Sequence, residues 1–191
     1  MGQEKAALAF HDATMLERVL AALRPIAAPL VVVGAADRPL APLPDGVRST
    51  SDRSADVGPL EGLRAGLAAV GGDADVAFVA AVDLPLLSTA FARRVIDRIG
   101  SHDAAVPRTR DGIHPLAACY RTRIVPTIEH VLFDGKRAMS DLLDRIDCGF
   151  VEADDLTDVD AELRSLVNVN TPEDLARALA SAASGAAKDR R

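Results

Sequence analysis

Apolar residues recur along this chain in two rhythms. Met15, Leu16, Val19, Leu20 and Leu23 are spaced by threes and fours, which predicts a helix with one buried face, closed by Pro25 and Pro29. Leu30–Val33 is a short apolar run ending at Gly34, the pattern of a buried strand feeding a loop. Residues 37–57 are polar, with four acids and three arginines, and read as loop with a short strand near Val47. Pro59 opens a second helical pattern at Leu60, Leu63, Leu67 and Val70, between Gly58 and Gly71-Gly72. Val76–Val82 then runs seven residues without a charge and stops at Asp83 and Pro85, which suits a central parallel strand. Ser88 is placed to cap a helix carrying Phe91, Val95, Ile96 and Ile99.

The second half is less regular. Ala104–Val106, Ala117–Tyr120, Phe150–Glu152 and Leu166–Val169 read as strands, and Arg121–Phe133 and Ala138–Ile146 as helices. Thr171, Pro172, Glu173 and Asp174 open a last helix with a capping hydroxyl, a proline at its first position and acids in its first turn. One domain over residues 1–184 is expected, with residues 185–191 as a frayed tail. Strands alternate with helices, so the class is α/β with a mostly parallel sheet. Ligands of such sheets bind beyond the carboxyl ends of the strands. Gly34–Asp37, Asp83–Pro85 and Asn168–Asn170 fall there.

Composition narrows the functional classes. The 191 residues suffice for one core, and alanine, leucine and valine must fill it, because there is no tryptophan and one tyrosine. A net charge of -6 lacks the basic footprint of a nucleic-acid or anionic-membrane binder, but a helix N-terminus or a metal can still hold phosphate. Cys119 and Cys148 lie far apart without metal-ligand spacing and read as buried thiols. There is no signal peptide and no apolar run of spanning length, so a cytoplasmic protein is expected.

Several residues carry possible chemistry. Asp83 ends the most apolar strand, where one carboxylate with phosphate oxygens can hold Mg²⁺; an Asp capping the turn before Pro85 reads equally well. In Gly58-Pro59-Leu60-Glu61-Gly62, glycines at a helix start let a ligand reach free N–H groups, or simply make a tight turn. Lys5 can contact phosphate or be a solvated lysine. Asp52 sits in the polar loop; Asn168 and Asn170 flank Val169 and point to one side of a strand, binding a ligand or bracing a loop. His114-Pro115 is a candidate substrate contact or a structural histidine. Neither a GxSxG turn nor a Cys–His pairing is readable, and no complete GxGxxG or Walker loop occurs.

In order along the chain, these features resemble the molybdenum cofactor guanylyltransferase family, whose domain is a three-layer Rossmann-like nucleotidyltransferase. That family opens with a strand and a loop reading about L-A-G-G-x-S-x-R-M-G-x-D-K. Met1-Gly2-Gln3-Glu4-Lys5-Ala6 matches the end of that signature, with Glu4 for the usual Asp. The Val31–Val33 strand, the Asp52 loop, the Gly58–Gly62 turn and Asp83-Leu84-Pro85 follow in family order. His114-Pro115, the helix after Gly135-Lys136-Arg137, and Val167-Asn168-Val169-Asn170-Thr171-Pro172-Glu173-Asp174-Leu175 come after them. The glycine-rich half of the loop, its arginine and the strand before it lie outside the match. That strand is central in the family, so its neighbours are expected to carry unpaired backbone. A start assigned too late in the gene is the favoured explanation, ahead of a truncated chain or a divergent relative.

The resemblance implies GTP-dependent transfer of GMP to molybdopterin. Lys5 would meet the phosphates, Asp52 the nucleoside side, Gly58, Pro59 and Leu60 the nucleotide, and Asp83 the Mg²⁺. His114, Asn168 and Asn170 would line the acceptor side. Gly34 stands where relatives carry an asparagine. The resemblance also brings contact with cofactor-synthesis or acceptor proteins. The Gly-Pro-Leu turn favours guanine over a cytidylyltransferase, and the short length disfavours a sugar-nucleotide pyrophosphorylase. A non-catalytic nucleotide-binding or interaction relative is the reading from another class.

Overall fold

Thr14 starts the first helix. In the computed structural model, which describes residues 5–37, 40–52 and 58–188, a 3-10 turn at Lys5–Ala7 leads into a small antiparallel hairpin, β1 (Ala9–Phe10) and β2 (Ala13–Thr14). The Thr14 hydroxyl accepts from the Glu17 amide and the Glu17 carboxylate accepts from the Thr14 amide. This reciprocal cap satisfies two donors that the start of a helix leaves unpaired. These bonds also hold the Glu17 carboxyl below the usual carboxylate range. Helix α1 (Met15–Leu23) follows and buries Met15, Val19, Leu20 and Leu23.

Strands β3 (Leu30–Gly34) and β4 (Val47–Ser51) pair in parallel, from Leu30 against Val47 to Gly34 against Ser51. Helix α2 (Pro59–Val70) returns the chain to β5 (Val76–Ala80). Arg48 near the start of β4 bonds Asp73 just before β5 at 2.7 Å, which places the starts of the two strands near each other. Ser88 caps α3 (Thr89–Asp97) by accepting from the Phe91 amide. Then come β6 (Ala104–Thr109), β7 (Gly112–Ile113), β8 (Ala117–Arg121), α4 (Val125–Phe133), α5 (Met139–Leu143), β9 (Cys148–Glu152) and α6 (Pro172–Lys188).

The second sheet runs β5-β8-β6, with β7 and β9 both on β6. Of its pairings only β6–β9 is parallel; β5–β8, β8–β6 and β6–β7 are antiparallel. The α/β class therefore holds, while the strand directions here differ from a mostly parallel sheet. The reason is the link between β6 and β8: a hairpin through β7 replaces a crossover helix, and a short link joins only antiparallel strands. No ladder joins β3 to β5.

Alternation along the strands makes three layers. Val76, Phe78, Ala80, Ala105, Ala117 and Cys119 pack with Val19, Leu23, Phe91 and Val95 of α1 and α3. Ala77, Val79, Ala104, Val106, Ala118 and Tyr120 pack on the opposite face, with Leu60, Leu63 and Leu67 of α2, Ile128 and Val131 of α4, and Leu142 of α5. Each fully buried leucine or valine contributes about 1.5–3 kcal/mol relative to exposure. Phe10 and Met15 pack with Val169 and Ala178, so α6 closes over the amino-terminal hairpin.

One segment departs from the periodicity reading. Leu166–Val169 is not a strand: Arg164–Leu166 forms a 3-10 turn, and the residues after it join no ladder. Of its three apolar residues, Leu166 and Val169 are buried singly against two different clusters and Val167 is exposed. Helix α6 spans Pro172–Lys188.

Candidate functional site

At the carboxyl end of β5 the chain turns sharply, with the Leu84 amide bonded to the Ala81 carbonyl, and this turn holds Asp83. The Asp83 carbonyl accepts from the Val169 amide at 2.9 Å. That one bond ties the Asn168–Asn170 segment to the Asp83 turn, across more than eighty residues of sequence. Val169 is fully buried while Asn168 and Asn170 on either side are exposed. The segment is held from below by α6: the Asp174 carboxylate accepts from the Asn170 and Thr171 amides at 3.1 and 2.9 Å, and the Thr171 hydroxyl accepts from the Asp174 amide. The Arg177 guanidinium and these donors pull the Asp174 carboxyl down to about 2.

His114 reaches the same end of the sheet by strand pairing. The Ala81 amide bonds the Leu116 carbonyl at 2.8 Å, which sets the His114–Leu116 turn beside the Asp83 turn. The imidazole Nε2 lies 3.0 Å from the Thr109 hydroxyl, and the His114 amide bonds Pro107. Burial pushes the His114 pKa down, against a smaller upward pull from Asp111, so the neutral ring is favoured. Tyr120 anchors the turn by donating to the Pro115 carbonyl at 2.8 Å.

Gly58 precedes α2 with φ of 87°, a left-handed conformation that suits glycine. Among the described residues no side chain caps this helix, so its first-turn N–H groups and its positive dipole end are open to a ligand or solvent. Pro59 is the first helical residue and Leu60 is fully buried. A Cβ at Gly58 would stand 3.6 Å from the Arg137 carbonyl, which brings the Gly135–Arg137 turn against the helix start. Lys136 and Arg137 are thus neighbours of the site. Spacing did not single them out, because the juxtaposition arises from α2 packing on α4 and α5.

Glu61, in the first turn of α2, takes a two-pronged hydrogen bond from Arg64, with distances of 2.8 and 2.7 Å. Both side chains are buried, and the carboxylate raises the Arg64 pKa further. Asp52 follows β4, its amide bonded to the Gly34 carbonyl. Its Oδ1 is buried without a hydrogen-bond partner among the described residues. A cleft of about 820 Å³ opens beside it, between Gly34–Asp37, Leu40 and Ser49–Ser51. Gly34 is where Leu40 folds over the strand: a Cβ there would lie 2.9 Å from Leu40 Cγ, which accounts for glycine at this position.

Asp83, His114, Asn168 and Asn170 are therefore gathered at one end of the second sheet, and Asp52 and Gly58 flank the carboxyl end of the first. Lys5 opens the 3-10 turn before β1; its side chain lies outside the described set, as do residues 1–4 of the signature and residues 53–57. Among the described residues no three His, Cys, Asp or Glu gather as a metal cluster. A single hard carboxylate such as Asp83, completed by phosphate oxygens, is the donor set that suits Mg²⁺. Among the described residues no helix is long and apolar enough to cross a membrane.

The family model of the MobA-like NTP transferase domain matches residues 1–148. The chain belongs to this nucleotidyltransferase family. It is 34% identical over 182 residues to the probable molybdenum cofactor guanylyltransferase of Methanosarcina mazei, covering 90% of this chain and 80% of that one. To the probable molybdenum cofactor guanylyltransferase of Mycobacterium avium it is 37% identical over 186 residues, covering 95% and 89%. Among solved structures, the molybdopterin-guanine dinucleotide biosynthesis protein A of Archaeoglobus fulgidus superposes with a TM-score of 0.78 at 25% identity, over 96% of this chain and 92% of that one. The MobA-like family thus accounts for the α/β domain and the order of its landmarks.

Proposed function

We propose that the chain transfers GMP from GTP to molybdopterin and releases pyrophosphate, in a Mg²⁺-dependent reaction of the cytoplasm. The observation that carries this reading is the gathering of Asp83, His114 and the Asn168–Asn170 segment at one strand end, in a chain whose relatives are named guanylyltransferases. A terminal phosphate oxygen of molybdopterin attacks the α-phosphorus of GTP. A new P–O bond forms there as the bond to the bridging oxygen of pyrophosphate breaks. The attacking phosphate is already anionic, so no strong general base is needed, in keeping with the lack of a readable nucleophile–base pair.

Positioning and charge neutralisation then carry the rate. Bound Mg²⁺, held by Asp83, would supply charge neutralisation at the phosphates. Lys5 would add a cation on the phosphate side. The uncapped amides after Gly58, with Pro59 and Leu60 shaping the turn, would receive the nucleotide, and the orphaned Asp52 oxygen would accept from the nucleoside. His114, favoured as the neutral ring, and Asn168 and Asn170 would orient the acceptor. The test supplies molybdopterin, Mg²⁺ and either GTP or CTP and measures dinucleotide and pyrophosphate together. Stoichiometric products from GTP are expected. Equal turnover of CTP would reject the guanine assignment, and neither turnover nor binding of either nucleotide would reject the enzyme.

A further inference from the structure

Strand pairing fixes which strand ends lie together. β5 and β6 are each antiparallel to β8, so they run the same way, and β9 is parallel to β6. The carboxyl ends of β5, β6 and β9 therefore lie at the end of the sheet that holds Asp83, where ligands of such sheets bind. At that end Arg108 of β6 stands opposite Ile113 of β7 on one side and Glu152 of β9 on the other. One step back along the face, Val106 stands opposite Phe150. Residues opposite each other, or two apart on a strand, share a face. Ile113, Arg108, Phe150 and Glu152 thus share the face of Val106 and Cys148, the one that α2, α4 and α5 cover.

The cover stops short of this corner. Val106 is fully buried, but Phe150 beside it is 40% exposed and Ile113 is 39% exposed. The Arg108 guanidinium lies between them, over the Phe150 ring and 4.4 Å from its centre. Its Nε donates to the two Glu152 oxygens at 3.1 and 3.3 Å, and its Nη2 donates to one of them as well. Exposed contacts of these kinds add little to stability. Their effect is to hold a planar cation on a flat ring, with apolar surface on both sides, at the mouth of the site.

We propose that Ile113, Arg108 and Phe150 form the platform on which the flat nitrogen heterocycle of the acceptor lies, with the Glu152 carboxylate taking N–H groups from the edge of that ring. The inference rests on the transfer proposed above, in which a ring-bearing phosphate is the acceptor. Reach favours this occupant. From β5 to β6 is two strand spacings and to β9 three, about 10–14 Å. An acceptor whose phosphate reacts at the Asp83 turn and whose ring rests on Arg108 and Phe150 spans that distance. Size favours it too: two apolar side chains and one arginine fall far short of the roughly 20–30 residues per side of a stable protein interface, but match one ring system. The chemistry agrees. A guanidinium plane stacks on π systems, and a carboxylate accepts at about four lone-pair sites, so Glu152 can serve Arg108 and still take N–H groups from a ring edge. Guanine offers a similar edge, but Asp52, on the nucleoside side, follows β4 of the other sheet.

The test titrates molybdopterin against the full chain and its variants by pterin fluorescence, then measures transfer with GTP in excess. Phe150→Ala and Arg108→Gln should each weaken molybdopterin binding and raise its KM about tenfold or more, the scale of one lost stacking contact. The kcat and the KM for GTP should change less than about twofold. Phe150→Tyr, which keeps a flat ring, should restore the parental KM, and Phe150→Leu, which is only apolar, should not. Glu152→Gln should weaken molybdopterin binding several-fold. Arg108 and Glu152 are each about half exposed, so their variants leave the core intact and carry the test if Phe150→Ala does not fold. Parental molybdopterin binding in any of the Ala or Gln variants, or rescue by leucine, overturns the inference. An equal rise in the KM for GTP assigns the patch to the nucleotide and also overturns it. A parent chain that binds molybdopterin without transferring GMP rejects the proposed reaction, while weakened binding in the variants still supports the platform. A parent that binds no molybdopterin overturns the platform.

Discussion

Replacing Arg64 by methionine isolates the buried pair at the start of α2. Methionine keeps the length and apolar stem of the side chain, so the change is chiefly the loss of the two-pronged hydrogen bond to Glu61. Both partners are nearly enclosed, with side chains 7% and 6% exposed, and the geometry is two-pronged. Breaking a buried pair costs about 3–5 kcal/mol. Protonation sets a ceiling, because a carboxyl of ordinary acidity takes up a proton at pH 7 for about 3.7 kcal/mol. Glu129, 3.9 Å from Arg64 and half-exposed, adds little. The expected loss at pH 7 is therefore about 3 kcal/mol, a drop in Tm of roughly 6–12 °C for a domain of this size. At pH 5 the proton costs about 1 kcal/mol, so the loss should shrink toward that figure. Replacing both residues, Glu61→Leu with Arg64→Met, should return stability to within about 1 kcal/mol of the parent. Urea unfolding at the two pH values measures all of this. A loss under about 1 kcal/mol at pH 7, a loss that does not shrink at pH 5, or a double variant as unstable as the single would refute the reasoning.

Other consequences are as direct. Asp83→Asn keeps the backbone carbonyl that holds Val169, so the fold should persist while Mg²⁺-dependent transfer falls at least a hundredfold; unchanged turnover would remove Asp83 from the metal role. Burial lowers the folded-state pKa of His114, so its stabilising neutral form is fully present above the unfolded value near 6.5 and that stability is lost as pH falls through the lower folded value. His114→Gln should flatten this acid-side loss in thermal melts, and an identical pH profile in the variant would contradict it. Burial pushes the Cys119 thiol up to about 12, and Cys148 to about 11, so neither is thiolate at pH 8. A thiol reagent should label Cys119 only as fast as the chain unfolds, and rapid labelling of native protein would show that the core around it opens.

Much of the fold is legible in the periodicity because the strongest signals are local. The Ser88 cap and the Thr171-Pro172 opening each satisfy donors within one turn, and with the Gly58-Pro59 helix start they appear where the residues put them. Cys119, read as a buried thiol, is fully buried. The misread elements lack a local signal. Leu166–Val169 has the composition of a strand, but its buried apolar residues serve different clusters and have no edge to pair with. Strand direction in the second sheet depends on a hairpin through β7, whose two residues are too few to register as a period.

The site divides in the same way. Sequence alone determined which residue types stand at strand ends and helix starts, and the order of Asp52, Gly58, Asp83, His114 and the Asn168–Asn170 segment, because caps and periodicity act over a few residues. Tertiary structure alone decided what meets what. A single backbone bond joins Asp83 to Val169, strand pairing carries His114 beside them, and helix packing brings Arg137 to Gly58. These encounters depend on closing long loops. Their cost is met by burial summed over the whole core, which no short stretch of sequence contains.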